Sequence, residues 1–184
     1  MAKTFSSEGV VLKRRNYGEA DRMVAIYTRS QGKVTAMAKG VRKMASKKKG
    51  GLEPGMVSKC FFAETRGMPI LTQVEIVDNY SGSNDNLTNM TQTFQILEVV
   101  DNLTPDNQAN EEVYDLLVGT LKLLKVNGSK KEKLLDNIRS IIKSLGFGPP
   151  DNLDELGLKD YIENVAERRL KSKKFLTPET LKVA

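Results

Sequence analysis

The sequence contains no histidine, no tryptophan and a single cysteine, Cys60. These absences exclude a metal cage of His and Cys ligands, a Cys–His or Ser–His catalytic pair, and a disulfide within the chain. Cys60 lies in the apolar segment KCFF, which is typical of a small buried hydrophobic residue. Several classes of enzyme are thereby removed. We expect a protein that is not an enzyme and that needs no cofactor and no metal.

Long apolar runs are also absent. No segment approaches the length of a membrane span, and the first residues, MAKTFSSEG, lack the apolar stretch of a signal peptide. We expect a cytoplasmic protein with no membrane partner.

Charge is distributed unevenly along the chain. Residues 1–80 carry 15 Lys and Arg against 7 Asp and Glu, whereas residues 81–184 carry 14 against 16. The first part of the chain is therefore the one expected to meet a polyanion.

The first 80 residues alternate between apolar and polar side chains, which predicts half-buried strands. Five such segments lie at 8–15, 22–28, 33–39, 56–65 and 70–78. Short connections between them favour antiparallel pairing and a closed barrel. The oligonucleotide-binding (OB) fold is the commonest five-stranded barrel, and an SH3-like barrel is the alternative.

After the polar segment YSGSNDN, apolar residues recur every three or four positions, which predicts helices. Four stripes can be stable only by packing together: Met90, Phe94, Leu97 and Val100 or Asp101; Val113, Leu117, Leu121 and Leu124; Leu134 or Leu135, Ile138, Ile141 or Ile142 and Leu145; Leu158, Ile162, Val165 and Arg169 or Leu170. The predicted fold class is α+β, with an antiparallel five-stranded OB-fold barrel at 1–80, a linker at 81–86 and an α-helical domain at 87–184.

A basic loop, residues 39–49, follows the third strand in GKVTAMAKGVRKMASKKKGGLEP, with no acid before Glu53. Like charges this close repel one another, so the loop is expected to stay extended and mobile until an anion neutralises it. Stacked phosphates are the natural counterpart.

The candidate nucleic-acid-binding residues are cations near predicted turns, with one tyrosine for base stacking. They are Lys13, Arg14, Arg15, Tyr17, Lys39, Arg42, Lys43, Lys47, Lys48, Lys49 and Arg66, with Arg22 and Lys59 as further flanking positions. Because aromatic residues are few, the predicted contact is with the backbone and independent of sequence.

A second hypothesis concerns an acidic peptide tail that ends in an apolar residue. Such a tail fits a hydrophobic groove rimmed by cations. The candidates are Arg139 and Lys143 on the third predicted helix and Arg168, Arg169 and Lys171 on the last.

The segment EGVVLKRRNYGEADRMVAIYTRSQGKVTAMAKGVRK, followed by GGLEPG and RGMPILTQVEI, closely resembles the N-terminal domain of the RecO family of bacterial DNA-repair and recombination mediators. A second likeness lies in YIENVAERRLKSKKFL, which is similar to the closing helix of that family. The sequence departs from the family by lacking part of the helical region between Pro150 and Lys159 and the four-Cys zinc motif, so zinc binding is not carried over.

The resemblance implies an OB-fold domain followed by a helical domain. It also implies binding of single- and double-stranded DNA, annealing of complementary strands, and help in loading the RecA recombinase on strands covered by single-strand-binding protein. The implied partners are RecR and the C-terminal tail of single-strand-binding protein. We also expect the protein to be associated with the nucleoid and to be a monomer on its own.

The residues alone leave three other functions open. The barrel could act on ribosomal or transfer RNA, whose phosphates attract the same loop. A metal-dependent nuclease could use Glu75, Asp78 and Asp85, although nothing in the sequence orients them. A scaffold could place the loop on an acidic protein or lipid surface.

Overall fold

The computed structural model describes residues 3–80, 87–127, 131–148, 150 and 152–171. These residues form five strands and four helices, with a short 3-10 turn at Gly50–Leu52 before the fourth strand. The elements are β1 (Thr4–Tyr17), β2 (Asp21–Thr28), β3 (Gly32–Ala38), β4 (Met56–Ala63), β5 (Ile70–Asn79), α1 (Leu87–Leu103), α2 (Glu111–Asn127), α3 (Lys131–Ser144) and α4 (Glu155–Ala166). Within these ranges no helix is both long enough and apolar enough to cross a membrane.

The five strands close into a barrel in the order β1-β2-β3-β5-β4, with β4 pairing back onto β1. Four of the pairings are antiparallel, but β3 and β5 run parallel, with Met37 opposite Ile70. The sheet is therefore mixed rather than wholly antiparallel as predicted, because β5 enters between β3 and β4 and runs in the direction of β3. This Greek-key arrangement is that of an OB fold and confirms it over the SH3-like alternative.

The interior of the barrel is filled by the inward-facing half of each alternating strand. Val11, Ile26, Phe62 and Leu71 are fully buried there together with Cys60. Burial raises the pKa of the Cys60 thiol to about 12. The prediction that this cysteine is a small core residue is confirmed.

A second hydrophobic cluster joins the outer face of the barrel to the helices. Val10, Leu12 and Tyr27 lie in the same cluster as Leu97 of α1 and Leu117 of α2. The Tyr27 hydroxyl donates to the Asn110 carbonyl at 3.4 Å, and burial raises its pKa to about 12. The helical part thus packs directly on the barrel. The predicted linker, 81–86, lies outside the described residues.

The helical stripes are confirmed in α2 and α3 but only partly in α1. Met90 and Phe94 were predicted as core residues, yet 41% and 47% of their surfaces are exposed. The first half of α1 instead buries polar side chains, including Gln92 and Gln95. Periodicity identified the helix, but it did not identify which face other elements cover.

The last helix ends earlier than predicted. α4 stops at Ala166 because Glu167 adopts a left-handed conformation (φ 50°), and the Arg168 N–H then donates to the Glu163 carbonyl at 3.2 Å. This is a helix C-cap in which a left-handed residue satisfies the last carbonyls. Arg168, Arg169 and Lys171, predicted on the helix, therefore lie in the segment that follows it.

Candidate nucleic-acid interface

A groove of about 1070 Å³ runs between the outer face of the barrel and the helical part. We call it the barrel–helix groove. Met23, Ala25 and Thr35 of β2 and β3 line it on one side, and Phe94 and Leu97 of α1 line it on the other. Cations complete its walls, namely Lys13, Arg14 and Arg15 of β1 and Arg168, Arg169 and Lys171 after α4. It thus combines side chains from two candidate sets that the sequence analysis kept apart.

A bulge in β1 directs the first of these cations outward. The register with β2 shifts between Val11 and Lys13, so that Leu12 is the extra residue. With strict alternation, Lys13 would follow Val11 into the barrel interior. Instead Leu12 packs against the helices, and the Lys13 ammonium lies 2.5 Å from a carboxylate oxygen of Asp101 on α1.

The next two cations differ in what holds them. Arg14 forms an ion pair with Glu53 at 2.6 Å, and the same carboxylate lies 3.4 Å from Arg22. Arg22, a predicted flanking position, is buried and also donates to Asn16, so its guanidinium is held within the protein. Arg15 is exposed, and its described contact is with the Met23 sulfur at 3.6 Å. Of Lys13, Arg14 and Arg15, Arg15 is therefore the one that can contact a phosphate without first breaking an ion pair with an acid.

The basic loop is folded against the barrel rather than extended. Val41 is fully buried in the barrel core, and the Arg42 N–H donates to the Ala20 carbonyl at 2.9 Å. The Gly40 N–H donates to the Asp21 carboxylate at 2.7 Å. Like-charge repulsion was expected to keep the segment open, but one buried apolar side chain and these backbone bonds outweigh it. The loop thus presents its exposed cations from a defined backbone.

Lys48 is distinguished from its neighbours in the lysine run. Its ammonium donates to the carbonyls of Lys39 at 2.9 Å and Leu71 at 3.2 Å, joining the loop to the start of β5. Partial burial lowers its pKa, an effect partly offset by Asp21. Lys47 and Lys49 are exposed. Two lysines of this run are free to meet an anion, and the third holds the loop in place.

Three connections meet at one end of the barrel. The β1–β2 turn contacts the basic loop through the bond from the Arg42 guanidinium to the Gly18 carbonyl, 3.0 Å. The β4–β5 turn reaches β3 through the bond from the Met37 N–H to the Pro69 carbonyl, 2.9 Å. Tyr17, 53% exposed, borders the first turn, and Arg66 is exposed in the other. OB folds bind oligonucleotides on the β2–β3 face and at these same two turns.

The segment after α4 is held across the groove by two glutamates. The Leu170 N–H donates to the Glu163 carboxylate at 2.9 Å, and the Lys171 N–H donates to Glu98 of α1 at 2.6 Å. Leu170 is buried in the helical cluster. This leaves Arg168 and Arg169 exposed along the groove.

The two cations of α3 lie elsewhere. Arg139 bonds to Asp136 at 2.8 Å and to the Leu153 carbonyl at 2.8 Å, so its guanidinium joins α3 to the segment before α4. Lys143 is exposed, but neither residue lines the barrel–helix groove. The structure therefore separates the predicted peptide-binding set into two groups.

Known sequences match most of the chain. Residues 1–80 match the family model described as "Recombination protein O N terminal", and residues 85–152 match "Recombination protein O C terminal". The chain belongs to the RecO family. It is 31% identical over 147 residues to the DNA repair protein RecO of Heliobacterium modesticaldum, covering 80% of this chain and 53% of that protein. It is 31% identical over 146 residues to the DNA repair protein RecO of Myxococcus xanthus, covering 79% and 60%.

The chain spans about half the length of the curated RecO relatives it matches, as the 48% coverage of the protein from Pelotomaculum thermopropionicum also shows. The matched C-terminal region ends at residue 152. The arginines that line the groove after α4 therefore lie beyond the matched region.

Sequence reasoning missed the acids that organise the site in this RecO family member. Asp101, with only 10% of its side chain exposed, holds Lys13 and also lies 3.8 Å from Lys33. Glu53 was noted only as the end of the basic run, yet it binds Arg14 and Arg22. A buried acid within an apolar stripe, such as Asp101 beside Val100, is a signal that could have been used.

Two of the acids named in the nuclease hypothesis, Asp78 and Glu75, accept hydrogen bonds from neighbouring side chains. Asp78 accepts from the Tyr80 hydroxyl at 2.7 Å and from Lys125 at 3.1 Å, and Glu75 accepts from Gln73 at 2.8 Å. Asp85 lies outside the described residues. Among the described residues, no group of three or more Asp, Glu, His or Cys side chains could hold a metal ion.

Proposed function

We propose that the chain acts in DNA repair and recombination by binding single- and double-stranded DNA and annealing complementary strands. It would further help to load a recombinase on strands covered by single-strand-binding protein. The proposed partners are RecR and the C-terminal tail of single-strand-binding protein, with RecA engaged indirectly. Family membership and the names of the relatives support the repair role.

The observation that carries the proposal is the gathering of exposed cations at one end of an OB barrel. Arg15, Lys47, Lys49 and Arg66 all belong to β1, the basic loop or the β4–β5 turn, which meet at that end. Annealing forms and breaks no covalent bond. It requires neutralisation of two phosphate backbones so that bases can search for partners.

The decisive experiment is annealing of two complementary oligonucleotides, one carrying a fluorophore and the other a quencher. We expect the protein to accelerate annealing on naked strands at low salt, because it neutralises phosphates on both. No acceleration at any protein concentration would refute the proposal. Repeating the assay with strands coated by single-strand-binding protein tests the proposed partner contact separately.

The RNA alternative is tested by competition. An unlabelled RNA oligonucleotide and a DNA oligonucleotide of equal sequence and length are titrated against a bound, labelled DNA strand. Because backbone contact alone does not distinguish the two polymers, we expect similar competition. Much stronger competition by RNA would favour an RNA-binding role.

A further inference from the structure

An exposed aromatic ring lies among the cations of the barrel–helix groove. Phe94 is 47% exposed although the next groove residue of α1, Leu97, is almost fully buried. Arg15 stands on the β1 side of the groove, and Arg168 and Arg169 stand on the side of the segment after α4. A half-exposed phenylalanine ring in a groove that arginines also line offers a planar group a surface on which to stack.

We infer that this groove holds a single nucleic-acid strand, with an unpaired base stacked on Phe94 and phosphates on the cations of both walls. The inference rests on the proposed function and specifies which form of nucleic acid the groove takes. Paired bases are stacked on one another within a duplex, so a duplex can offer the groove its backbone but no free base face. Duplex contact is then left to the exposed cations of the barrel end that do not line the groove, Lys47, Lys49 and Arg66.

The acids that line the groove are already engaged within the protein. Asp101 is bound by Lys13 at 2.5 Å and lies 3.8 Å from Lys33, and Glu98 accepts the Lys171 N–H at 2.6 Å. Their negative charge is therefore partly compensated before a ligand enters. The exposed charge that remains along the walls is positive, which suits the repeated phosphates of a strand.

The segment after α4 forms the second wall because it does not continue the helix. Glu167 turns the chain, and the bonds to Glu163 and Glu98 hold the segment across the groove. Both arginines follow that turn directly and are exposed. A strand lying in the groove would therefore contact the barrel on one side and residues about 150 positions later in the chain on the other.

The absence of tryptophan from the chain allows a direct optical test. In Phe94→Trp the new residue is the only tryptophan, and its emission reports stacking at this position. We expect an unlabelled dT oligonucleotide to change that emission strongly and a duplex of equal length to change it little. Equal responses to the two ligands, or no response to dT at concentrations that saturate binding, would overturn the inference.

Affinity gives the second test. By fluorescence anisotropy, Phe94→Leu should weaken binding of labelled dT by at least about 5-fold, the lower end of one lost base stack, and leave duplex affinity unchanged. Phe94→Trp should keep dT affinity. Equal weakening for both ligands, or none for dT, contradicts the inference. Wild-type protein that binds no DNA in this assay would instead remove the proposed function.

The second wall is tested by charge reversal. Arg168→Glu/Arg169→Glu should weaken dT binding more than Lys122→Glu/Lys133→Glu, which changes the net charge equally at exposed positions of α2 and α3 outside the groove. Equal effects of the two double variants would show that only net charge matters. A poly-glutamate peptide that displaces dT at matched charge concentration would favour an acidic peptide as the occupant and overturn the inference.

Discussion

The backbone of Gly32 approaches the α1–α2 connection more closely than any side chain would allow. A Cβ atom placed on it would lie 1.9 Å from the Gln108 carbonyl oxygen, and its φ of +68° is a left-handed conformation. In Gly32→Ala the backbone near Gln108 must therefore shift to make room for the Cβ atom, and residue 32 itself must hold a strained left-handed conformation. We expect the free energy of unfolding, measured by urea denaturation, to fall by about 3 kcal/mol or more.

Gly18→Ala is the matched control. Its φ of +56° imposes a similar strain, but nothing lies within 4 Å of the added Cβ. This variant should lose only about 1–2 kcal/mol. Equal losses at the two positions would show that the β2–β3 hairpin does not press against the α1–α2 connection.

The difference between these two glycines could not be predicted from the sequence. Both lie in short polar connections, NYGE and SQGK, and the sequence correctly predicts a turn at each. Only Gly32 meets a segment that is about 75 residues away along the chain. Turn chemistry is local, whereas this close approach depends on how the helices dock.

At the scale of elements, the end of β5 is joined to α2 by a carboxylate. The Asp78 carboxylate accepts a hydrogen bond from Tyr80 at 2.7 Å and another from Lys125 at 3.1 Å. These bonds lower the pKa of Asp78 to about 2, and the bond from Tyr80 makes the largest contribution. Because the folded-state pKa is depressed, the stabilisation is complete above the ordinary value near 4 and is lost as pH falls toward 2. Asp78→Asn should therefore cost less than about 1 kcal/mol at pH 6, since the group is partly exposed, and this cost should fall toward zero as pH drops through 2.

The measurement is the difference in unfolding free energy between wild type and Asp78→Asn at several pH values. In a Tyr80→Phe background the largest contribution to the shift is absent, so the pH-dependent difference should shrink. A difference that stays constant from pH 6 to pH 2 would contradict the assigned role of the carboxylate.

The end of α4 supplies a second prediction for an element. Glu167 has a φ of 50°, a conformation that disfavours every side chain with a Cβ atom. Glu167→Gly should raise the free energy of unfolding by about 1 kcal/mol, as glycine does at the left-handed position of a helix C-cap.

Glu167→Ala removes the same charge but keeps the Cβ atom, so the difference between the two variants isolates the backbone. In urea denaturation, Glu167→Gly should show a higher free energy of unfolding than Glu167→Ala. If Ala proves the more stable, α4 continues beyond Ala166 and the arginines lie on the helix as the sequence suggested. Apolar periodicity favoured that longer helix because Leu170 fits the stripe of Leu158 and Ile162, and Leu170 is indeed buried, but from a turned segment.

At the scale of the whole molecule, the barrel was predictable and the barrel–helix groove was not. Alternation and short connections specify the strands, and the interior follows from them. The groove joins β1, α1 and the segment after α4, which are far apart in sequence, and its cations were assigned to two different ligands. Phe94 was assigned to the core because a helical stripe does not reveal where the covering element ends.

The three lysines at 47–49 also differ in a way that the sequence did not reveal, and this difference can be tested by mutation. Lys47, Lys48 and Lys49 are equivalent in sequence, yet of the three only Lys48 donates to backbone carbonyls, those of Lys39 at the start of the loop and Leu71 of β5. Lys47→Ala/Lys49→Ala should therefore leave stability unchanged. It should reduce the slope of log affinity against log salt by about 0.7 per lost contact on single strands and about 0.9 on duplex.

The slope is measured by anisotropy titrations at several salt concentrations, with Lys122→Ala/Lys133→Ala as the control of equal charge. That control changes the net charge at exposed sites away from the barrel end, so its slope should match wild type. If both double variants reduce the slope equally, long-range charge rather than phosphate contact is being measured. A reduction confined to Lys47 and Lys49 would identify the basic loop as a surface that displaces counterions, as strand annealing requires.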